Sequence, residues 1–359
     1  MRIERIRLDH FRNYRALDIA PDPGTNLFFG DNAQGKTNIL EAMFLCGTTK
    51  SHRGSKDKDM ILFGEEEAHI RMDLVKHEIP YRLDMHLKKN KSKGIAINRV
   101  PIRKAGELVG LCSFVFFSPE DLGIIKNGPA VRRRFLDMEM GQLDPVYFNA
   151  LTHYGRALMQ RNKLLKDIGR RSDLLDTLDV WDEKLCEYGR VIIRGRERFV
   201  KLLGEKILPI HLKLTGGSEK IRIVYEKNAS ADEMKKKLRE GRERDLHMGT
   251  TMTGPHRDDL ALISNEIDLR TFGSQGQQRT GALSLKLSQI ELVKDLTNDT
   301  PVLMLDDVLS ELDRGRQAYL LESIRDVQTM ITCTGKDNFE TYGFQIDRYF
   351  HVKNGQVLK

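Results

Sequence analysis

The stretch Gly30-Asp31-Asn32-Ala33-Gln34-Gly35-Lys36-Thr37 decides how this chain is read. It fits the pattern G-x-x-x-x-G-K-[ST]. An apolar run, Leu27-Phe28-Phe29, comes before it. A helical pattern from Lys36 to Leu45 follows, with Ile39, Leu40, Met43 and Phe44 on one side. Strand, glycine loop and helix form the context in which such a loop wraps a phosphate chain. The glycines let the backbone close into an anion-binding nest and approach phosphate oxygens. Lys36 then reaches the β- and γ-phosphates, the Thr37 hydroxyl ligates Mg²⁺, and the helix N-terminus faces the same anion. A plain glycine turn before a helix is the competing reading.

Moving outward, Val302-Leu303-Met304-Leu305-Asp306-Asp307 supplies the expected partner. Four apolar residues suit a buried parallel strand, and a carboxylate at its tip faces a nucleotide crevice. Asp306 is expected to hold Mg²⁺ through water, and Asp307 to polarise the attacking water. A strand ending in a polar turn is the alternative. A second loop, Ser274-Gln275-Gly276-Gln277-Gln278-Arg279, opens a long helix with Leu283, Leu287 and Ile290 on one face. Its hydroxyl, its glycine and the helix N-terminus make a second phosphate-binding device. The alternative is an ordinary N-capped helix.

Together these residues resemble the ABC-type ATPase head. Gly30–Thr37 is similar to its Walker A, Met304–Asp307 to its Walker B and Ser274–Gln278 to a degenerate signature loop. Ser310-Glu311-Leu312-Asp313 resembles its D-loop, which adds Asp313 to the nucleotide contacts. In that family the signature loop of one subunit caps the ATP on the P-loop of another, so the resemblance implies an ATP-dependent head-to-head homodimer.

HFRNY near the N-terminus, SHR at Ser51–Arg53, FSPEDL at Phe117–Leu122, RRRFLD at Arg132–Asp137, GPHRDD at Gly254–Asp259 and GSQGQQR at Gly273–Arg279 resemble the RecF family of bacterial recombination mediators. That resemblance spans nearly the whole chain. It implies ATP-dependent DNA binding, RecR and RecO as partners, and a role in loading recombinase at gapped DNA during repair, replication restart and the SOS response. Two departures stand out. Asp307 occupies the place where ABC heads usually carry glutamate. Cys333 or Thr334 stands where a switch histidine is usual, and neither is a comparable γ-phosphate sensor at neutral pH. Both imply slow hydrolysis, a timer rather than a motor. Glu120 is a weak candidate for the Q-loop position.

The 359 residues allow two to three domains, and 40% hydrophobic with 31% charged residues leave enough apolar mass for a core. The expected architecture is α/β: a mixed P-loop sheet with helices, formed by residues 1–128 and 216–359, with an inserted, mainly helical arm over 129–215. Within the arm, Leu151, Tyr154 and Leu158, then Leu185, Tyr188 and Ile192, keep helical spacing. Gly195 and Pro209 punctuate it. The four cysteines are isolated, which argues against a disulfide framework or a zinc site and for a reducing cytosol. No signal peptide or membrane span is legible, so a cytoplasmic, nucleoid-associated protein is expected.

The formal charge of +7 is compatible with a polyanion partner. Residues 85–106 carry Lys88, Lys89, Lys91, Lys93, Arg99, Arg103 and Lys104 and no acid, so a β-ribbon here can track phosphates of double-stranded or gapped DNA. Lys50 and Arg53 join this candidate surface. A solvated hairpin is the alternative for the ribbon, internal ion pairing for Arg132-Arg133-Arg134, and a structural turn for His256. Two other functions compete with a DNA-bound ATPase: the ATPase subunit of a membrane transporter, and a DNA scaffold with a vestigial nucleotide site.

Overall fold

A computed structural model describes residues 1–168, 175, 177–335 and 345–358. The chain folds as two compact units, Met1–Asp121 with Lys286–Lys359, and Leu122–Leu285. Residues 216–285, which the sequence partition joins to the C-terminal lobe, therefore group with the helical segment.

In the first unit, strands Arg2–Phe11 and Tyr14–Ile19 form a hairpin that buries Ile3, Ile6, Leu8 and Phe11. The three-residue step from Ile3 to Ile6 breaks strict alternation. A register shift between Ile3 and Arg5 absorbs the extra residue and keeps both isoleucines on the core face. Strands Glu67–Lys76, Ile79–Lys88, Lys91–Ile97 and Val100–Pro101 extend the same antiparallel sheet. Two of its hairpins turn on His77-Glu78 and Asn98-Arg99, all four with positive φ, the backbone that tight hairpins require.

A second sheet carries the phosphate loop. Its strands run in the order Gln356–Leu358, Arg348–Lys353, Thr25–Phe29, Thr329–Cys333, Val302–Asp306, Phe114–Phe117. Every pairing except the first is parallel. Val302–Asp306 is buried throughout, as a strand covered on both faces must be. Only Thr329–Cys333 separates it from Thr25–Phe29. The C-terminal ends of both strands, Phe29 and Asp306, thus open at the same edge, where the helix Lys36–Thr48 begins.

The second unit holds helices Pro129–Leu143, Pro145–Ile168 and Leu178–Leu214. Beside them lies a small antiparallel sheet of Ile221–Glu226, Asp259–Ser264 and Ile267–Asp268. The long helix runs through both Gly195 and Pro209, so neither punctuates it. Gly195 is a packing choice: a Cβ there would lie 3.0 Å from the Tyr147 ring and 3.1 Å from Met140. Pro209 removes one intrahelical hydrogen bond without ending the helix. Two short helices, Met234–Glu240 and Arg242–Met248, are divided at Gly241.

Within the basic run, Arg132 and Arg133 turn inward while Arg134 is exposed. Arg132 is buried and grips Asp259 with two hydrogen bonds, at 2.5 and 2.9 Å, while Arg133 donates to the Asp258 carbonyl at 2.7 Å. Arg196 donates to Asp137 at 2.8 Å and Asp258 at 3.1 Å. His256 sits between the Tyr154 hydroxyl and the Thr251 carbonyl, and burial lowers its pKa to about 4. GPHRDD and RRRFLD are therefore joined as a structural knot. Among the described residues, no helix is long and apolar enough to cross a membrane.

Candidate nucleotide site

The loop after Thr25–Phe29 turns on left-handed backbone at Gly30 (φ 148°), Ala33 (φ 63°) and Gly35 (φ 113°). Two of these positions have no room for a side chain. A Cβ on Gly30 would fall 2.2 Å from the Val352 carbonyl oxygen, and one on Gly35 would meet Asn13 at 2.5 Å and the Tyr14 hydroxyl at 2.9 Å. Sterics and φ both select glycine there.

The loop is braced from outside. Asn13 Nδ2 donates to the Gln34 carbonyl at 2.9 Å, Tyr14 to the Gly35 carbonyl at 3.0 Å, and Asn38 Nδ2 to Asn13 Oδ1 at 2.8 Å. The turn at Asn354-Gly355 adds two backbone donors, to Gln34 Oε1 at 2.6 Å and the Gln34 carbonyl at 3.1 Å. Next to it, Arg12 pairs with the fully buried Glu41 at 2.8 Å, and Ser51 donates to the same carboxylate at 2.5 Å. HFRNY and SHR thus meet at one acid on the P-loop helix. The sequence reading gave HFRNY no role, and SHR only that of Arg53 on the candidate DNA surface. Asn13-Tyr14 was visible only as part of HFRNY.

Lys36 is nearly buried and folds back over its own loop. Its Nζ donates to the carbonyls of Gly30 at 2.6 Å and Asp31 at 2.7 Å. Desolvation lowers its pKa, and the carboxylates of Asp307, Asp306 and Asp31 oppose that. Thr37 Oγ1 donates to Asp306 Oδ1 at 2.8 Å, and Thr332 Oγ1 donates to the same oxygen at 2.7 Å. The Asp307 N–H in turn donates to Thr332 Oγ1 at 3.0 Å. One hydroxyl, missed in the sequence, therefore ties the Asp306 carboxylate to the backbone of Asp307. It stands one residue before Cys333 in ITCT.

Asp307 adopts left-handed backbone, φ 56°, and its carbonyl accepts from Ser310 Oγ at 2.8 Å. Cys333 donates to the Gly335 carbonyl at 2.9 Å, and burial pushes its thiol up to about 11, so it stays a neutral thiol. Asp313 caps the helix Arg314–Ser323, accepting from the Arg316 N–H at 3.0 Å. That bond, ahead of the Arg316 charge, holds its pKa down. Glu120 is exposed on a short turn over Pro119–Leu122.

The Ser274 loop lies in the other unit. Ser274 and Gln277 form a reciprocal cap: the Gln277 N–H donates to Ser274 Oγ at 3.2 Å and the Ser274 N–H to Gln277 Oε1 at 3.0 Å. Gln277 Nε2 donates to Glu219 at 3.2 Å, and the buried Gln278 donates to the Leu269 carbonyl at 2.8 Å. Ser274, Gln275 and Gly276 are exposed at the start of the helix Gln275–Thr297, beside Phe272, which is 75% exposed.

On the ribbon, neighbouring acids answer three of the four lysines. Lys88 pairs with Glu67 at 3.0 Å and Lys89 with Glu66 at 2.7 Å. Lys93 reaches Asp57 at 2.8 Å and the Thr49 carbonyl at 2.7 Å. Those acids lie outside residues 85–106, so the local charge count could not show them. Lys91 and Arg99 are exposed and form no ion pair among the described residues, and Arg53 is exposed as well. Lys50 is exposed at the end of the P-loop helix.

The parallel core, the glycine nest, the Thr37–Asp306 contact and the capped second helix define an SMC-like head of the ABC ATPase class. A family model described as RecF/RecN/SMC N terminal domain matches residues 2–357. The chain is 58% identical over 357 residues to a DNA replication and repair protein RecF of Agathobacter rectalis, covering 99% of each. Against that of Lachnoclostridium phytofermentans it is 53% identical over the full length of both. A solved structure of the recombination mediator protein RecF-ATP in the RecFOR pathway superposes with a TM-score of 0.93 at 36% identity, over 99% of this chain and 97% of that one. An Smc head bound to the C-winged helix domain of ScpA shares the fold alone, with a TM-score of 0.57 at 15% identity over 100% and 97%. The chain belongs to the RecF family of DNA replication and repair proteins.

Proposed function

We propose that this protein is a slow, DNA-dependent ATPase that closes as a head-to-head dimer on double-stranded or gapped DNA when it binds MgATP, and reopens after hydrolysis. The observation that carries the reading is the contact of Thr37 Oγ1 with Asp306 Oδ1, 2.8 Å apart beneath a glycine nest. A hydroxyl and a carboxylate are the hard oxygen donors Mg²⁺ prefers, so Thr37 would hold the ion and Asp306 would hold it through water. When bound, Mg²⁺ would neutralise charge on the triphosphate.

The chain's own groups do the rest. The N–H groups of Gly30 through Thr37 donate to phosphate oxygens. Lys36 exchanges the Gly30 and Asp31 carbonyls for phosphate. Asp307 orients the water in line with the γ-phosphorus. The Ser274 loop of a second chain, with Gln275, Gly276, Gln277 and that chain's Asp313, closes the pocket. Catalysis is positioning plus charge stabilisation, and the short Asp307 carboxylate keeps it slow.

The relatives' names, a DNA replication and repair protein and a recombination mediator of the RecFOR pathway, support a role in recombinational repair and replication restart, for which RecR and RecO are the proposed partners. Membership in that family disfavours the transporter-subunit alternative. Lys91, Arg99 and Arg53 are the better DNA contacts; Lys50 is a further candidate, and Lys88, Lys89 and Lys93 contribute once their acids are screened. Sedimentation with ATP, ADP or no nucleotide, with and without duplex DNA, tests the proposal. ATP-specific dimerisation strengthened by DNA is expected; a single chain in saturating MgATP on DNA contradicts it.

A further inference from the structure

Away from the nucleotide, the outer face of the antiparallel sheet brings two histidines and a glutamate together. His69 and His86 are directly opposite partners on strands Glu67–Lys76 and Ile79–Lys88, with ring centroids 3.8 Å apart. Glu67, two residues before His69, points from the same face, and its Oε2 lies 2.5 Å from His86 Nε2. One donor atom from each of the three lies within 4.8 Å of the other two. From this geometry we infer a divalent transition-metal site of the zinc class, with Glu67, His69 and His86 as ligands and water completing the shell.

The donor set is that of a borderline-soft ion: two imidazoles and a carboxylate, with an open position. Tetrahedral ligands on arms of ~2.1 Å stand roughly 3.4 Å apart, so small side-chain rotations bring these donors onto one ion. Three neighbours favour it. Lys88 holds the other carboxylate oxygen of Glu67 at 3.0 Å, which leaves Oε2 to face the histidines. Asp9 is the register partner of His69 on the adjoining strand and adds negative charge to the row. On the far side His86 is opposite Gly94, where a Cβ would meet nothing nearer than 3.9 Å, so space for water is built in. A bound ion would clamp the two strands that lead into the basic ribbon.

The test uses the full chain, stripped with chelator and free of nucleotide, titrated with Co²⁺ by visible absorption and with Zn²⁺ by calorimetry. One ion per chain is expected, with weak d–d bands, no thiolate charge-transfer band, and a Zn²⁺-dependent rise in melting temperature. His69→Ala and His86→Ala should each weaken binding by at least about tenfold, and Lys88→Met by about tenfold through the orientation of Glu67. All three side chains lie on the outer face, so circular dichroism of the variants should match the parent. Absence of binding overturns the inference. So does binding that the double histidine variant retains, or a spectrum dominated by cysteine ligation.

Discussion

Asp307 follows Asp306 with a left-handed backbone, φ 56°, and its N–H is pinned by Thr332. That bond anchors the backbone from which the short carboxylate springs. Asp307→Asn should lower single-turnover phosphate release by about a hundredfold or more, with ATP affinity little changed; equal turnover would remove Asp307 from the role of base. Thr332→Val strips the hydroxyl that holds the Asp306 carboxylate and accepts from the Asp307 N–H. A loss of about 1–3 kcal/mol in denaturant unfolding, together with slower hydrolysis, is expected. His256 sets a pH dependence of stability. Its folded pKa of about 4 lies below the unfolded value near 6.5, so the unfolded chain takes up a proton first as pH falls. Stability should be full above about pH 6.5 and decline toward pH 4, by up to about tenfold in the folding equilibrium per pH unit. His256→Gln should flatten that slope in melts across the window.

At the scale of elements, the signature helix is held at its mouth by Glu219, which accepts from Gln277 at 3.2 Å and from Ser264 at 3.2 Å. Glu219→Gln should weaken ATP-dependent dimerisation several-fold while nucleotide affinity of the single chain stays unchanged, because the P-loop is untouched. Equal dimerisation by light scattering would show that the cap is self-sufficient.

This is also the scale at which the sequence was most and least legible. The P-loop, the Asp306 strand and the Ser274 helix each carry their own period and turn chemistry within a dozen residues, so they read directly. Gly195 misled because tertiary packing against Tyr147 and Met140 overrode local punctuation, and Pro209 because the long helix tolerates the one hydrogen bond it removes. Thr332, Asn13 and Asn354 were invisible as site residues, because what they do depends on strands that meet only in the folded sheet. The acids facing Lys88, Lys89 and Lys93 were hidden for the same reason: they come from neighbouring segments.

For the whole molecule, the excess of seven positive charges acts through partners rather than through the fold. DNA affinity should fall linearly with salt on a log–log plot, with a slope of roughly −0.9 per phosphate neutralised. Lys91→Glu with Arg99→Glu should reduce that slope more than the same change at Lys88 and Lys89, whose ammonium groups already face Glu67 and Glu66. An unaltered slope in the first pair would take the ribbon off the DNA surface.

The central claim is that each triphosphate is held between the lysine nest of one chain and the serine loop of another. Mixing Lys36→Arg protein with Ser274→Arg protein measures it most directly. Hydrolysis in the mixture should rise well above that of either variant alone, since a mixed dimer rebuilds one intact pocket from the sound halves. Turnover equal to the average of the two separate variants would mean that each chain completes its own site, and would contradict the claim.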